Sequence, residues 1–155
     1  MTRPRPTAYN YALNLLAARP YSSSALRRKL GQKEYGAADA DDAIRRLLDN
    51  GLLNDAKYAE QFARSKMLST GASKRRVTQD LYRKGIKGDL ASQAIANVVE
   101  QDEIDPAAVI ERVARKKLVQ LGDLEPVILR RRLFGFLARR GYDLDEIKRV
   151  VSLLT

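Results

Sequence analysis

The sequence predicts an all-α fold of three tandem three-helix repeats stacked into an elongated body, and three observations carry that reading. First, a set of apolar positions returns. Leu26, Leu30, Tyr35, Ala43, Ile44 and Leu47 recur 51 residues later as Val77, Leu81, Ile86, Ala94, Ile95 and Val98, and a further 56 residues on as Leu133, Leu137, Tyr142, Val150, Val151 and Leu154. A period near 50 is the signature of stacked supersecondary units. Second, helix-stopping glycines (Gly51, Gly71, Gly85, Gly141) alternate with capping residues at the boundaries that this repeat requires. Third, no stretch alternates apolar and polar residues between turn signals, so no strand is expected. Such units touch only their neighbours, and their apolar faces are expected to be buried mainly between neighbouring units.

The elements follow in order. Residues 1–8 form an N-terminal arm in which Pro4 and Pro6 forbid regular helix; a frayed extended terminus is expected, with Arg3 and Arg5 available to an anion. Repeat one spans 9–53, repeat two 54–104 and repeat three 105–155. The first helix runs from about Tyr9 and stops before Pro20, because the residue preceding proline is biased away from the helical region. Ser22 or Ser23 caps the second helix, and Asp39 or Asp41 opens the third. In repeat two, Asn54 or Asp55 and then Ser73 take the capping roles. In repeat three, Asp105 with Pro106 at the first helical position starts one helix, Asp123 caps the next and Asp143 the last. The leading helices align too: Tyr11, Leu15 and Leu16 match Tyr58, Phe62 and Ala63, then Val109, Val113 and Ala114.

Composition excludes much chemistry. The chain has no Cys and no His, which removes thiol nucleophiles, disulfides, the usual zinc sets and the commonest general base near neutral pH. The Asp and Glu residues cluster at helix starts (Asp39, Asp41, Asp42, Asp143, Asp145, Glu146), where the helix dipole accounts for them. Gly85-Ile86-Lys87-Gly88 has a GxxG form, but the strands that accompany such a loop are absent and a helix stop followed by a helix start explains it better. No catalytic, cofactor-binding or metal-binding residue is expected. No run is apolar enough to span a membrane and no apolar leader follows Met1, so the cytoplasm is the expected compartment. The formal net charge is +10, every repeat is net positive, and an anionic partner is implied.

The basic clusters are the candidate site. Arg76 and Arg83 lie one above the other on the second helix of repeat two, about 120–140° from the Val77/Leu81 stripe by the 3.6-residue period. Arg132 and Arg139 hold the same places in repeat three, whereas Ala25 and Gln32 hold them in repeat one. This recurrence without balancing acids marks a contact surface to which Arg27, Arg28, Arg75, Lys84, Arg130, Arg131 and Arg140 are also assigned. Tyr9, Tyr21 and Tyr82 are available for stacking, although partial burial is the common fate of Tyr.

These blocks also resemble a known family. Ala12 to Leu30 (ALNLLAARPYSSSALRRKL), Gly51 to Lys66 (GLLNDAKYAEQFARSK) with Gly71 and Leu81 to Ile86 (LYRKGI), and Leu137 to Ile147 (LARRGYDLDEI) together resemble RecX, the bacterial regulator of the RecA recombinase. Departures are small: Asn54 stands where the family often has Asp, and Tyr58 and Tyr142 where it often has Phe. The resemblance implies three helix-turn-helix-like units forming a curved rod. It implies a protein that acts without catalysis, binding RecA filaments on DNA and suppressing strand exchange, ATP hydrolysis and filament growth; a monomer is expected. Single- or double-stranded DNA is a further expected partner, and the competing reading is a direct DNA-binding module in which a helix enters a groove.

Overall fold

A computed structural model describes residues 2–155, and among these there are nine helices and no strand. Repeat one carries α1 (Ala8–Ala18), α2 (Ser23–Gln32) and α3 (Ala37–Asp49). Repeat two carries α4 (Asp55–Ser69), α5 (Lys74–Arg83) and α6 (Gly88–Gln101). Repeat three carries α7 (Pro106–Leu121), α8 (Pro126–Arg139) and α9 (Leu144–Leu154).

Local chemistry sets most of the helix starts. The side chains of Thr7, Ser22, Asn54, Ser73, Asp105 and Asp143 each accept a backbone N–H of the first turn. Asp143 and Glu146 complete a reciprocal capping box at α9. Two expected caps are corrected. α3 opens at Gly36, three residues ahead of Asp39 and five ahead of Asp41, which leaves Asp39 inside the first turn where the dipole favours it. α8 opens at Glu125 with Pro126 as its first residue, so Asp123 stays in the connecting loop. The GxxG stretch is a helix stop at Gly85 (φ 83°) and a helix start at Gly88.

The repeats do not share one core. Each closes its own: Leu26, Leu30, Ile44 and Leu47 in repeat one; Met67, Val77, Leu81, Ile86 and Val98 in repeat two; Ile110, Leu133, Leu137, Ile147 and Val150 in repeat three. The expectation that apolar faces are buried mainly between neighbours is therefore wrong. Three short helices folded on one another already enclose their apolar stripes, and the junctions add smaller contacts to these, Val109 of repeat three packing against the core of repeat two beside a set of polar contacts. The chain exposes 9984 Å². A compact globule of 17.4 kDa exposes about 7,900 Å² by the usual mass scaling, so the excess reports an extended row of units. Small-angle scattering of the monomer should accordingly give a radius of gyration clearly above the roughly 15 Å of a compact chain of this length; the compact value would contradict the row.

The junctions have one design used twice. Ser22 Oγ, while capping α2, donates to the carbonyl of Lys84 at the end of α5 (2.6 Å). Ser73 Oγ, while capping α5, donates to the carbonyl of Arg140 at the end of α8 (3.2 Å). A hydroxyl can accept and donate at once, which suits it to this double role. The second helices thus meet head to tail, positive end against negative end. Around this line, Asp55 accepts from the N–H and hydroxyl of Ser23 (2.7 and 2.5 Å) at the first junction, and Arg140 donates to the Thr70 carbonyl (2.9 Å) at the second.

Tyr142 locks the second junction by donating its hydroxyl to the Gly71 carbonyl, and burial pushes its phenol up to about 12. A phenol harder to ionise in the folded state adds stability below pH 10 that is lost as pH rises from 10 towards 12. Melting between pH 9 and pH 11.5 should therefore fall more for the native chain than for Tyr142→Phe. Equal losses would show that this phenol does not couple the junction to pH.

Candidate functional site

The second helices and the ends of the first helices line one continuous groove. Its first part, about 620 Å³, lies among α2, α4 and α5; its second, about 400 Å³, among the end of α4, α5 and α8; its third, about 290 Å³, among the end of α4, α7 and α8. The first two parts share Lys66, Arg76 and Asp80, and the last two share Thr70, Phe136 and Arg140. Asp80 is the only acidic residue in the lining.

A column of cations runs along this groove. In the register that aligns the leading helices, Arg19, Lys66 and Lys117 are the same position in successive repeats, and all three line the groove. Each rests on an aromatic face: Arg19 over Tyr21 (4.7 Å), Lys66 over Phe62 (5.6 Å) and Lys117 over Phe136 (4.9 Å). Phe136 also carries the Arg140 guanidinium at 5.0 Å. Cation–π contact holds a long side chain in place while leaving its charge available to an anion. Tyr58 stacks on Phe62 with centroids 6.2 Å apart, and burial raises its phenol pKa against the opposing pull of Arg19.

Six of the residues expected from sequence line this groove: Arg28, Arg76, Arg83, Lys84, Arg139 and Arg140. The others lie elsewhere. Arg27 pairs with Asp41 (2.9 Å), Arg75 borders a separate 350 Å³ cavity beside Tyr142, and Arg130 is held by the hydroxyl and carbonyl of Thr155. Arg131 and Arg132 are exposed outside the groove. The reading of unbalanced Arg pairs is corrected for repeat two. Asp80, one turn along the same face, stands between Arg76 (3.4 Å) and Arg83 (3.5 Å) and offsets part of their charge. Of the tyrosines considered for stacking, Tyr21 is buried, Tyr9 is half-buried and Tyr82 is exposed.

Sequence reasoning missed Arg19, Lys29, Lys66, Lys116 and Lys117. The signal for three of them was in hand, since continuing the alignment of the leading helices by a few residues brings Arg19, Lys66 and Lys117 into one column. Lys29 had no such signal, because its equivalents are Asp80 and Phe136.

The arrangement has the charge and shape that suit an extended anion: a row of cations spans both junctions, each laid over an aromatic ring. Comparison with known proteins agrees with the fold and names the group. Family descriptions reading "RecX, first three-helix domain", "RecX, second three-helix domain" and "RecX, third three-helix domain" match residues 8–47, 54–95 and 103–151. The chain is 37% identical over 151 residues to regulatory protein RecX of Mycobacterium sp. (strain KMS), covering 94% of this chain and 80% of that one. It is 35% identical over 147 residues to regulatory protein RecX of Actinobacillus pleuropneumoniae serotype 5b (strain L20), covering 95% and 92%. The crystal structure of RecX from Lactobacillus salivarius superposes with a TM-score of 0.79 over 95% of this chain and 94% of that one, at 22% identity, which bears on the fold alone. With all three of its repeats matched in order and relatives above 30% identity over most of their length, the chain belongs to the RecX family.

Proposed function

We propose that this chain is a regulatory protein that lays its basic groove along RecA filaments on DNA and inhibits the recombinase and its ATPase, without catalysis of its own. The observation that carries the reading is the Arg19, Lys66 and Lys117 column, a cation at one position in every repeat facing one groove. A repeating cation on an extended body suits a partner that is itself a repeating polyanion, and DNA within a protein filament is one. The regulatory names of the relatives support the same role. No helix among the described residues is long and apolar enough to cross a membrane, and the cytoplasm, where such filaments form, is the compartment this reading requires.

The test is RecA-dependent strand exchange and ATP hydrolysis with and without the protein. Inhibition at substoichiometric or stoichiometric protein is expected, and undiminished activity in both assays would remove the reading. The aromatic lining also suits direct binding to a nucleic-acid strand. Filter binding to naked DNA across a salt series separates the two: tight binding that needs no RecA and falls steeply with salt would favour the DNA-binding module.

A further inference from the structure

Repeat one has no preceding repeat to dock on among the described residues, yet its docking end is not bare. The repeat register makes Lys33, Lys84 and Arg140 one position, the C-cap of each second helix. At Lys84 and Arg140 the carbonyl is taken by a serine of the preceding repeat. At Lys33 it is taken by the guanidinium of Arg5, from the chain's own N-terminal arm. A second parallel lies two residues on. Tyr142 donates its hydroxyl to a backbone carbonyl of the preceding repeat, Gly71, and its equivalent Tyr35 donates to a backbone carbonyl of the arm, Pro6 (2.7 Å). The Arg5 guanidinium also lies 4.1 Å over the Tyr35 ring. The arm therefore makes on repeat one, at matched places, both contacts that repeat two makes on repeat three, and the expectation of a frayed terminus is overturned.

The residue between those two contacts differs in a telling way. In repeats two and three it is glycine, Gly85 (φ 83°) and Gly141 (φ 85°); in repeat one it is Glu34 (φ 61°). A Cβ on Gly85 would stand 2.3 Å from Ser24 Cβ of the docked repeat, and one on Gly141 3.1 Å from Ser73 Oγ. Glu34 already carries that Cβ, in a backbone conformation that glycine adopts far more readily.

We propose that the arm and Glu34 form a terminal cap, which occupies the docking face of repeat one and keeps a second copy of this chain from adding to it end to end. The copy would arrive by the start of its α8, the outer end of the head-to-tail line. That end has no side-chain cap on its helix, an exposed Val127 (69% accessible) and the exposed carboxylates Asp123 and Glu125, which complement Lys33 and Lys29 at the end of α2. Such a contact joins two different surfaces and does not close on itself, so without the cap it grows into chains.

The test uses the full chain. Arg5→Ser with Tyr35→Phe releases the arm while keeping the Tyr11–Tyr35 ring contact as an aromatic pair, and Glu34→Gly restores the docking glycine. Sedimentation velocity over a hundredfold concentration range should find the native chain monomeric and the triple variant, at native helicity, growing through dimer to larger species. Val127→Glu added to the triple variant should return it to monomer. A triple variant that is folded and stays monomeric, or association that ignores Val127→Glu, would overturn the proposal. If the triple variant loses helicity, Arg5→Ser with Glu34→Gly asks the same question with Tyr35 intact, and the same two outcomes decide it.

Discussion

Replacing Arg28, Arg76, Arg83 and Arg139 with glutamate is expected to raise the concentration needed to inhibit RecA-dependent strand exchange at least about 100-fold, a loss of roughly 2.7 kcal/mol in docking. All four are exposed and line the groove, so reversal turns attraction into repulsion at the contact and weakens long-range steering as well. The effect on folding is small but not nil. Arg76 and Arg83 flank Asp80, and two glutamates there would crowd it, which costs about 0.5–1 kcal/mol in all. Melting should fall by only a few degrees. The control, one reversal smaller, is Arg75, Arg131 and Arg132 to glutamate, three exposed cations outside the groove. If the control variant loses as much inhibition as the groove variant, net charge rather than the groove governs docking. Inhibition by the native chain should also weaken with salt, because exposed charges are screened over about 8–10 Å near physiological ionic strength.

Leu81→Ala should be the most damaging of the three equivalent core truncations. Leu30, Leu81 and Leu137 are all fully buried, and removing such a side chain costs about 2–5 kcal/mol. The difference lies in what each repeat holds. Repeat two provides the Lys84 carbonyl to one neighbour and Ser73 to the other, so its loss undoes both junctions at once. Calorimetry should show one early transition for the whole chain in Leu81→Ala. In Leu30→Ala or Leu137→Ala the terminal repeat should melt first and leave the other two folded, as nearest-neighbour coupling requires. Three matching thermograms would mean that the chain unfolds as a single unit and that the junctions are stronger than their few hydrogen bonds suggest.

What the sequence by itself determined is whatever depends on neighbours along the chain. Helix period, capping residues and glycine stops are local, so Leu26/Leu30, Val77/Leu81 and Leu133/Leu137 announced the buried faces, and Ser73, Asp105 and Asp143 announced three helix starts, with Ser22 and Asn54 each one of two neighbouring candidates for two more. The family, too, was legible in the order of those blocks. Only the tertiary structure decided how the repeats meet. Nothing local says that Ser22 and Ser73 turn their hydroxyls to helix ends 62 and 67 residues away, or that Arg5 imitates them at Lys33. The same holds for the site. Arg132 and Arg139 sit one turn-pair apart on a single helix, yet only Arg139 lines the groove, because the end of α4 and the face of α5 that form the groove there stand beside the C-terminal end of α8. A helical wheel fixes which way a side chain points from its own axis; which neighbour stands there depends on packing at long range, and that is set by how the three cores are joined.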